Sequence, residues 1–274
     1  MSKKVILLTG ASSGMGKESA RQLILQGHIV YGVARRTERM RDLTEAGGHS
    51  LSMDITQDEQ IRQAVNQIIE EQGRIDVLIN NAGYGSYGSV EETPIADARH
   101  QFEVNLFGLA RLTQLVIPHM REQGSGTIIN MSSMGGKIYT PLGAWYHATK
   151  HALEGWSDSL RLELSTFGIR VVIIAPGLIA TEFGDVLVEP LLQRSGDGPY
   201  KNMAQSVAQT TRQTYQSKRA TSPTSVIAQA LIKAIDAPTP KTRYAVGKMA
   251  RPLLFLRKWA GDRIFDRLIM SQMR

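Results

Sequence analysis

The sequence predicts a doubly wound α/β fold, with a seven-stranded parallel sheet and helices on both faces. Two observations predict it. Short runs rich in Val and Ile alternate with longer segments of helical period, which is the pattern of consecutive β-α-β units. The chain also has 274 residues, of which 42% are hydrophobic and 25 are Gly, enough for one large domain with a sizeable core. We assign residues 1–250 to that domain and 251–274 to a C-terminal extension.

The predicted elements alternate along the chain, and each crossover is expected to be right-handed. The predicted strands are Lys4–Thr9, Ile29–Ala34, Ser50–Met53, Ile75–Asn80, Gly126–Met131, Arg170–Ala175 and Arg243–Val246. The predicted helices are Met15–Gln26, Glu38–Ala46, Asp58–Gln72, a long one within Pro94–Gln123, and Gly143–Phe167.

Composition excludes several classes of protein. The chain has no Cys, so it offers no disulfide, no thiolate nucleophile and no Cys-ligated zinc, which fits a reducing compartment such as the cytoplasm. No apolar run approaches the ~18 residues of a membrane-spanning helix. The apolar run Val5–Leu8 is shorter than the roughly seven residues of a secretory core, so we expect a buried strand there.

The net charge of +7 is concentrated near the C-terminus. Residues 241–274 contain nine basic and two acidic residues, whereas the preceding residues contain 23 of each sign. The body of the domain is therefore neutral, and we expect no nucleic-acid partner for it.

A glycine-rich turn, Thr9–Gly16, follows the first strand and opens the first helix. Gly10 permits a tight turn, Gly14 lets backbone N–H groups approach phosphates, and Gly16 allows close helix packing. In this strand–turn–helix setting the turn predicts a Rossmann-type dinucleotide site.

Charged residues at the ends of the next two strands bear on which dinucleotide binds. Arg35 and Arg36 follow the second strand, where an acidic residue would favour NAD and an arginine accommodates the 2′-phosphate of NADP. With Lys17 just after the glycine turn, they favour NADP(H), and NAD is the less favoured cofactor. Asp54 ends the third strand, where it would accept a hydrogen bond from adenine or cap a helix.

Tyr146 and Lys150 stand four residues apart in a predicted helix, so their side chains share one face. A lysine charge at this distance favours the phenolate and lowers the tyrosine pKa, which would let the phenol exchange a proton at neutral pH. Such a pair is common on ordinary helix surfaces, and it gains meaning from the dinucleotide site upstream. Asn105 lies between apolar residues of another predicted helix, where its amide needs hydrogen-bond partners.

Together these motifs resemble those of the short-chain dehydrogenase/reductase family in its single-domain form. The matching motifs are T-G-x-x-x-G-x-G at Thr9–Gly16, N-N-A-G at Asn80–Gly83, Asn105, Ser133, Y-x-x-x-K at Tyr146–Lys150 and P-G-x-x-x-T at Pro176–Thr181. The runs Val33–Arg36, Gly83–Gly85 and Arg243–Gly247 are similar to the branch that contains 17β-hydroxysteroid and retinol dehydrogenases.

The resemblance implies an oxidoreductase and a role for each motif residue. Tyr146 would be the general acid in carbonyl reduction and the base in alcohol oxidation, while Lys150 would tune it and hold the nicotinamide ribose. Ser133, favoured over Ser132 by its spacing to Tyr146, would bind the substrate oxygen. Asn105 would hold a water for proton relay, and Thr181 would bind the carboxamide.

The cofactor contacts expected from the motifs and the resemblance share one property, since each lies at or beside the end of a strand or in the catalytic helix. They are Gly10, Ser12, Ser13, Gly14, Met15, Gly16, Arg35, Arg36, Asp54, Asn81, Ala82, Gly83, Tyr146, Lys150, Pro176, Gly177, Ile179 and Thr181. We expect no metal site, because His147 and His151 have no third ligand in view.

The substrate and the partners follow from the remaining segments. By the resemblance, residues 178–222 close over the substrate, and their apolar side chains either line the pocket for an apolar carbonyl or alcohol or pack the lid on the core. The family often assembles as a homodimer or homotetramer. The basic, partly amphipathic extension would contact a membrane surface peripherally, cover the pocket or dock on a subunit. A non-catalytic, redox-sensing regulator on the same fold is the alternative function.

Overall fold

A seven-stranded parallel sheet forms the centre of the protein, a computed structural model that describes residues 3–271. The strands are β1 (Val5–Thr9), β2 (Ile29–Ala34), β3 (His49–Ser52), β4 (Val77–Asn80), β5 (Gly126–Met131), β6 (Ile169–Pro176) and β7 (Arg243–Val246). Their order is β3-β2-β1-β4-β5-β6-β7, and all neighbours are parallel. The predicted doubly wound sheet is confirmed. Residues 1–2 of the predicted domain and 272–274 of the predicted extension lie outside the described residues.

Helices cover both faces of the sheet, as predicted. They are α1 (Gly14–Leu25), α2 (Arg41–Glu45), α3 (Asp58–Gln72), α4 (Ile95–Phe102), α5 (Gly108–Glu122), α6 (Ala144–Leu164), α7 (Phe183–Ser195), α8 (Lys201–Gln216), α9 (Ser225–Asp236), α10 (Ala250–Trp259) and α11 (Gly261–Ser271).

The alternation of side chains along β1 builds two separate cores. Ile6 and Leu8 point to a core completed by α1 and α9, whereas Val5 and Leu7 point to one completed by α3, α5 and α6. Because both faces of β1 are buried, its apolar residues form a continuous run, and this run predicts the strand from the sequence. The sheet order reverses between β1 and β4, so a crevice opens at the carboxyl ends of these strands.

Two predicted helices are interrupted. The Glu38–Ala46 helix begins as a 3₁₀ turn, Thr37–Met40, before α2. The long helix within Pro94–Gln123 contains a π-helical turn, Glu103–Phe107, between α4 and α5. Such turns occur frequently at functional sites, and this one contains Asn105.

The predicted lid, residues 178–222, contains two helices that the sequence pattern did not predict, α7 and α8. Its two ends meet, because Ile179 pairs with Ser222 in an isolated bridge and Leu178 pairs with Lys248. The Arg194 guanidinium, near the end of α7, donates to Ser86 and to the backbone oxygen of Tyr87 and pairs with Asp97. The end of α7 is therefore bound to the loop after β4.

The C-terminal extension forms a helical hairpin, α10 and α11, that turns at Gly261, where φ is +69°. It packs on the protein through Phe265, which is fully buried with its ring 5.3 Å from that of Tyr139. The Tyr139 hydroxyl donates to Asp266 at 2.8 Å. These contacts place Tyr139 under the extension.

Candidate active site

The glycine turn between β1 and α1 forms a cradle with no room for side chains. Gly10 and Gly14 have φ values of +71° and +53°, which favour glycine. A Cβ on Gly16 would lie 2.2 Å from the Gly10 oxygen and 2.4 Å from the Asn81 amide nitrogen. The turn thus packs directly on the segment after β4, leaving its own backbone to face the crevice.

Thr9 locks this turn to the N-N-A-G motif. Its hydroxyl accepts hydrogen bonds from the backbone nitrogens of Asn81 at 3.0 Å and Ala82 at 2.9 Å, and the Asn81 side chain donates to the Thr9 oxygen at 2.9 Å. Thr9 belongs to the predicted glycine motif but was not among the predicted site residues. It is a positioning residue, since it joins the ends of β1 and β4 at the point where the sheet order reverses.

A cleft of about 710 Å³ lies over these strand ends. Most of the predicted cofactor residues line it, namely Gly10, Ser12, Ser13, Gly14, Met15, Gly16, Arg35, Arg36, Asp54, Asn81, Ala82, Gly83 and Thr181. A Cβ on Gly14 would come within 3.3 Å of Thr181 Cγ2, so Thr181 faces the glycine turn across the cleft.

Five predicted cofactor residues do not line this cleft, namely Tyr146 and Lys150 on α6 and the residues Pro176, Gly177 and Ile179 after or at the end of β6. Ile179 is buried in the core beneath it, Pro176 is the last residue of β6, and the Gly177 nitrogen donates to the Val246 oxygen at 2.8 Å. Pro176, Gly177 and Ile179 are held below the crevice by contacts with β7 and with the core. Of the P-G-x-x-x-T motif, Thr181 therefore reaches the cleft, whereas these three residues do not.

The two arginines after β2 lie at one end of the cleft. Arg35 is 71% exposed and its Nη1 lies 4.0 Å from Asp54 Oδ2. Arg36 is exposed and has no ion pair among residues 3–271. Lys17 differs from the expectation, because its ammonium pairs with Asp42 at 2.9 Å. The positive charge available at this end therefore comes from the arginines.

Asp54 has a local structural role as well as a place on the cleft wall. Its Oδ1 accepts from the backbone nitrogen of Thr56 at 2.9 Å and from the Thr56 hydroxyl at 2.8 Å. The residue preceding α3 is Gln57, so Asp54 is not the cap of that helix. Its Oδ2 is directed toward Arg35.

The Ser133 side chain lies beside Tyr146, and its interaction with the phenol lowers the pKa of that phenol. Ser133 also accepts from the backbone nitrogen of Gly135 at 3.0 Å, which fixes its side chain at the start of a 3₁₀ turn. Ser132, the competing serine, lies elsewhere, since its hydroxyl is within 2.8 Å of the position a Gly136 Cβ would occupy. The structure therefore brings Ser133 to Tyr146.

Burial controls the protonation of Tyr146. The side chain is 7% exposed, and burial raises the pKa of its phenol, although the interaction with the Ser133 side chain lowers it. The spacing to Lys150 predicted a lowered pKa, and this is wrong for the structure described, because loss of solvent outweighs the other influences.

Lys150 is buried on the same face of α6, one turn after Tyr146. Its Nζ donates to the Met131 oxygen at 2.9 Å. Burial lowers the pKa of this ammonium to about 8, while the charge of Glu154 acts to raise it. A Cβ on Gly83 would lie 3.6 Å from Lys150 Nζ, so the ammonium stands directly behind the cleft wall.

Asn105 is fully buried and ties α6 to the segment after β4. Its Oδ1 accepts from the Tyr84 nitrogen at 3.0 Å, and its Nδ2 donates to the Tyr84 oxygen at 2.9 Å and to the Thr149 hydroxyl at 3.1 Å. Both polar atoms of the amide thus have protein partners. The side chain acts as a clamp between the cleft wall and the catalytic helix, and the expected water would have to be held by other atoms.

These residues match one family. Residues 4–190 match the model of the short chain dehydrogenases. The chain belongs to the short-chain dehydrogenase family. It is therefore an oxidoreductase whose fold binds a nicotinamide dinucleotide.

Similar proteins extend over much of the chain. A 3-ketodihydrosphingosine reductase of Bacteroides thetaiotaomicron is 44% identical over 186 residues, which cover 68% of this chain and 67% of that protein. An NADPH-dependent 3-dehydrocapnine reductase of Ornithobacterium rhinotracheale is 30% identical over 282 residues, covering 98% and 96%. A short-chain dehydrogenase structure from Streptomyces avermitilis has a TM-score of 0.80 at 35% identity and covers 94% of this chain and 97% of its own.

Apolar and aromatic side chains from the predicted lid and from the loop after β4 pack around Tyr146 in this short-chain dehydrogenase. The Phe183 ring lies 5.7 Å from that of Tyr146 and also lines the cleft, and the Tyr87 ring lies 6.1 Å away. The buried lid residues Leu187, Val188 and Leu191 belong to the same cluster. The apolar side chains of this segment thus divide. Phe183 and Val186 line the cleft, whereas Leu187, Val188 and Leu191 pack in one cluster with Tyr87 and Tyr146.

A buried carboxylate that the sequence analysis did not single out lies behind Lys150. Glu154 is 1% exposed and pairs with Arg243 Nη2 at 2.6 Å and with Lys137 at 3.5 Å. Its position one turn after Lys150 was a usable signal, because buried carboxylates need partners. Among residues 3–271, no three His, Asp or Glu side chains are grouped to hold a metal ion.

Proposed function

We propose that this short-chain dehydrogenase uses NADP(H) to interconvert a carbonyl and a primary or secondary alcohol on an apolar substrate. One observation carries the proposal: a buried tyrosine interacts with a serine side chain and lies one helical turn from a buried lysine, beside a dinucleotide-sized cleft. The residues Tyr146, Ser133 and Lys150 would form the catalytic set.

The cleft fits a nicotinamide dinucleotide. The glycine turn leaves backbone N–H groups at the start of α1, which suits a pyrophosphate. Arg35 and Arg36 would hold the 2′-phosphate that distinguishes NADP from NAD, and no acidic residue stands in their place after β2. The relative from Ornithobacterium rhinotracheale is named as NADPH-dependent, which supports the same choice.

The proposed chemistry assigns a task to each residue. Once bound, the dinucleotide supplies or accepts the hydride. The Ser133 hydroxyl binds the substrate oxygen, and the Tyr146 hydroxyl gives that oxygen its proton during reduction. Lys150 would stabilise the phenolate left on Tyr146, and Asn105 holds α6 in register with the cleft wall.

The protonation state of Tyr146 determines which half of the reaction the free site is ready to begin. Burial raises the pKa of the phenol, so it stays protonated across the neutral range. Reduction starts from that protonated form, whereas oxidation starts from the phenolate. The free site is thus ready to protonate a carbonyl oxygen, while the direction of net turnover depends on the ratio of NADPH to NADP⁺.

An apolar substrate is supported by what surrounds the Tyr146 ring. Phe183 and Val186 line the cleft, and the lid core behind them is apolar. Apolar walls with a few polar groups suit a substrate that is apolar except for its carbonyl. The relative from Bacteroides thetaiotaomicron, named for reduction of a keto compound, is consistent with this.

Oxidation of NADPH tests the proposal. Purified protein is mixed with NADPH and with pairs of ketones or aldehydes that carry either long alkyl or short hydroxylated groups, and absorbance is followed for wild type and for Tyr146→Phe. The proposal is supported if wild type oxidises NADPH with the alkyl compounds and Tyr146→Phe does not. Tight NADPH binding with no turnover of any compound would favour the redox-sensing regulator instead. Assembly as a homodimer or homotetramer and a place in the cytoplasm remain predictions from the sequence.

A further inference from the structure

The helices of the C-terminal extension expose apolar and basic side chains together. On α10, Phe255 and Trp259 are 69% and 68% exposed. At 100° per residue they fall in one sector of the helix, next to the exposed Arg251 and Lys258. The opposite sector, which includes the buried Ala250, packs inward.

Helix α11 repeats this arrangement. Ile264 and Leu268, which are 59% and 38% exposed, are one turn apart on the side of the helix next to the buried Phe265. The exposed Arg263 and Arg267 border them on the other side. We call these exposed residues of α10 and α11 the extension surface.

The carboxylates of the extension have partners on or under the hairpin. Asp262 pairs with Arg257 at 2.7 Å, and Asp266 accepts from the Tyr139 hydroxyl. By contrast, Arg251, Arg263 and Arg267 have no ion pair within the part of the chain that the structure describes, and Lys258 lies 5.1 Å from the Trp259 ring. The extension surface is therefore both apolar and positively charged.

We propose that the extension surface binds the surface of an anionic bilayer. Charge complementarity selects this occupant, because lipid headgroups of negative charge attract clustered Lys and Arg. Trp and Phe side chains insert readily at the boundary between headgroups and acyl chains. A second copy of the same surface would bring cations against cations, which opposes self-association.

The hairpin is attached firmly to the domain, so membrane binding through the extension surface would bring the whole protein to the bilayer. The buried Phe265 and the bond from Tyr139 to Asp266 fix α11 to the domain, and α10 contacts the Met134–Gly136 turn that follows Ser133. Of the helices in residues 3–271, none has the length and apolarity needed to cross a bilayer, so the contact proposed is peripheral. The binding does not depend on the proposed reaction.

Vesicle flotation of the full chain tests this inference. We expect wild type to float with vesicles of phosphatidylcholine and phosphatidylserine at low salt, to dissociate at high salt, and to stay behind with phosphatidylcholine alone. Phe255→Ser with Trp259→Ser, and Arg263→Glu with Arg267→Glu, should each weaken binding at least about tenfold. Lys201→Glu with Arg212→Glu on α8 makes the same charge change outside the extension surface and should have a small effect.

Thermal melting and NADPH binding of each variant confirm that it is folded. Equal binding of wild type to both kinds of vesicle, or no binding to either, would overturn the proposal. So would a loss of binding in the α8 variant as large as in the α11 variant. If the extension variants instead change the oligomeric state in solution and no variant binds vesicles, the surface is an interface between copies of the chain.

Discussion

Glu154 lies one helical turn beyond Lys150 on α6, and the two buried side chains carry opposite charges. Burial lowers the pKa of the ammonium to about 8, and the charge of Glu154 limits that fall. Arg243 and Lys137 in turn form ion pairs with the Glu154 carboxylate. A strand at the edge of the sheet is thereby connected to the lysine of the proposed catalytic set.

The pH dependence of carbonyl reduction is expected to depend on the pKa of Lys150 and on its interaction with Glu154. Lys150 must be protonated to stabilise a phenolate, so kcat/KM should fall as pH rises past about 8. Glu154→Gln removes the charge that raises the pKa of Lys150, so the alkaline limb should move to lower pH. Asp158→Asn, which also removes a partner of Arg243 but lies two turns from Lys150, is the control. An alkaline limb that stays in place in Glu154→Gln would contradict the coupling.

Replacement of Tyr146 by Phe separates chemistry from binding. The variant loses the hydroxyl that gives the proton, so kcat should fall by about 10²- to 10⁴-fold. The dissociation constant of NADPH, measured by fluorescence titration, should change by less than about threefold, because the ring remains in place. Tyr139→Phe is the matched control, since that hydroxyl bonds the extension. A large loss of NADPH affinity in Tyr146→Phe would mean that the reaction site is elsewhere.

Cofactor choice is expected to depend on the arginines after β2. Arg35→Asp combined with Arg36→Ala removes the charges proposed for the 2′-phosphate, so the ratio of kcat/KM for NADPH to that for NADH should fall about 100-fold. Lys17→Ala should leave the ratio nearly unchanged, because Lys17 is committed to Asp42. An unaltered ratio in the double variant would refute the phosphate assignment.

His147 should make stability depend on pH. Its Nε2 accepts from the Thr140 nitrogen at 3.1 Å and its Nδ1 faces the Gly135 oxygen at 3.0 Å, so the ring is neutral with its proton on Nδ1. Burial lowers its pKa from 6.5 to about 4. The unfolded chain therefore takes up a proton first, and up to about 3 kcal/mol of stability present above pH 6.5 is lost as pH falls to 4.

Urea unfolding of His147→Gln between pH 8 and pH 4 checks this. At pH 8 the difference in free energy of unfolding between wild type and His147→Gln should reflect only the hydrogen bonds that the variant loses. This difference should become smaller as the pH falls to 4. A difference that stays constant across this range would show that the imidazole does not drive the pH dependence.

The elements most accurately predicted are those whose signals are local. Helix α3 has the predicted bounds, since the chain turns at Gly73 with a φ of +69°. The motif residues Gly10, Asn81 and Arg36 meet at one cleft because the carboxyl ends of parallel strands share one edge. Local pattern and sheet topology together were enough to place them.

The features that were missed depend on contacts between distant parts of the chain. The raised pKa of Tyr146 comes from burial under the lid, and helical spacing to Lys150 contains no information about that burial. The pairing of Lys17 with Asp42 and of Asn105 with the Tyr84 backbone also requires the folded chain. Helices α7 and α8 were not predicted, because the sequence does not show whether their apolar residues line a pocket or pack in a core.

Phe183 and Arg194 lie at opposite ends of α7 and are held in different ways. Arg194 is bound by several polar partners, whereas Phe183 rests in ring contacts above Tyr146. The Phe183 end of α7 could therefore separate from Tyr146 at the cost of ring contacts alone, whereas displacing the Arg194 end would break hydrogen bonds and an ion pair. The helix is thus anchored at one end, like a hinged arm over the cleft.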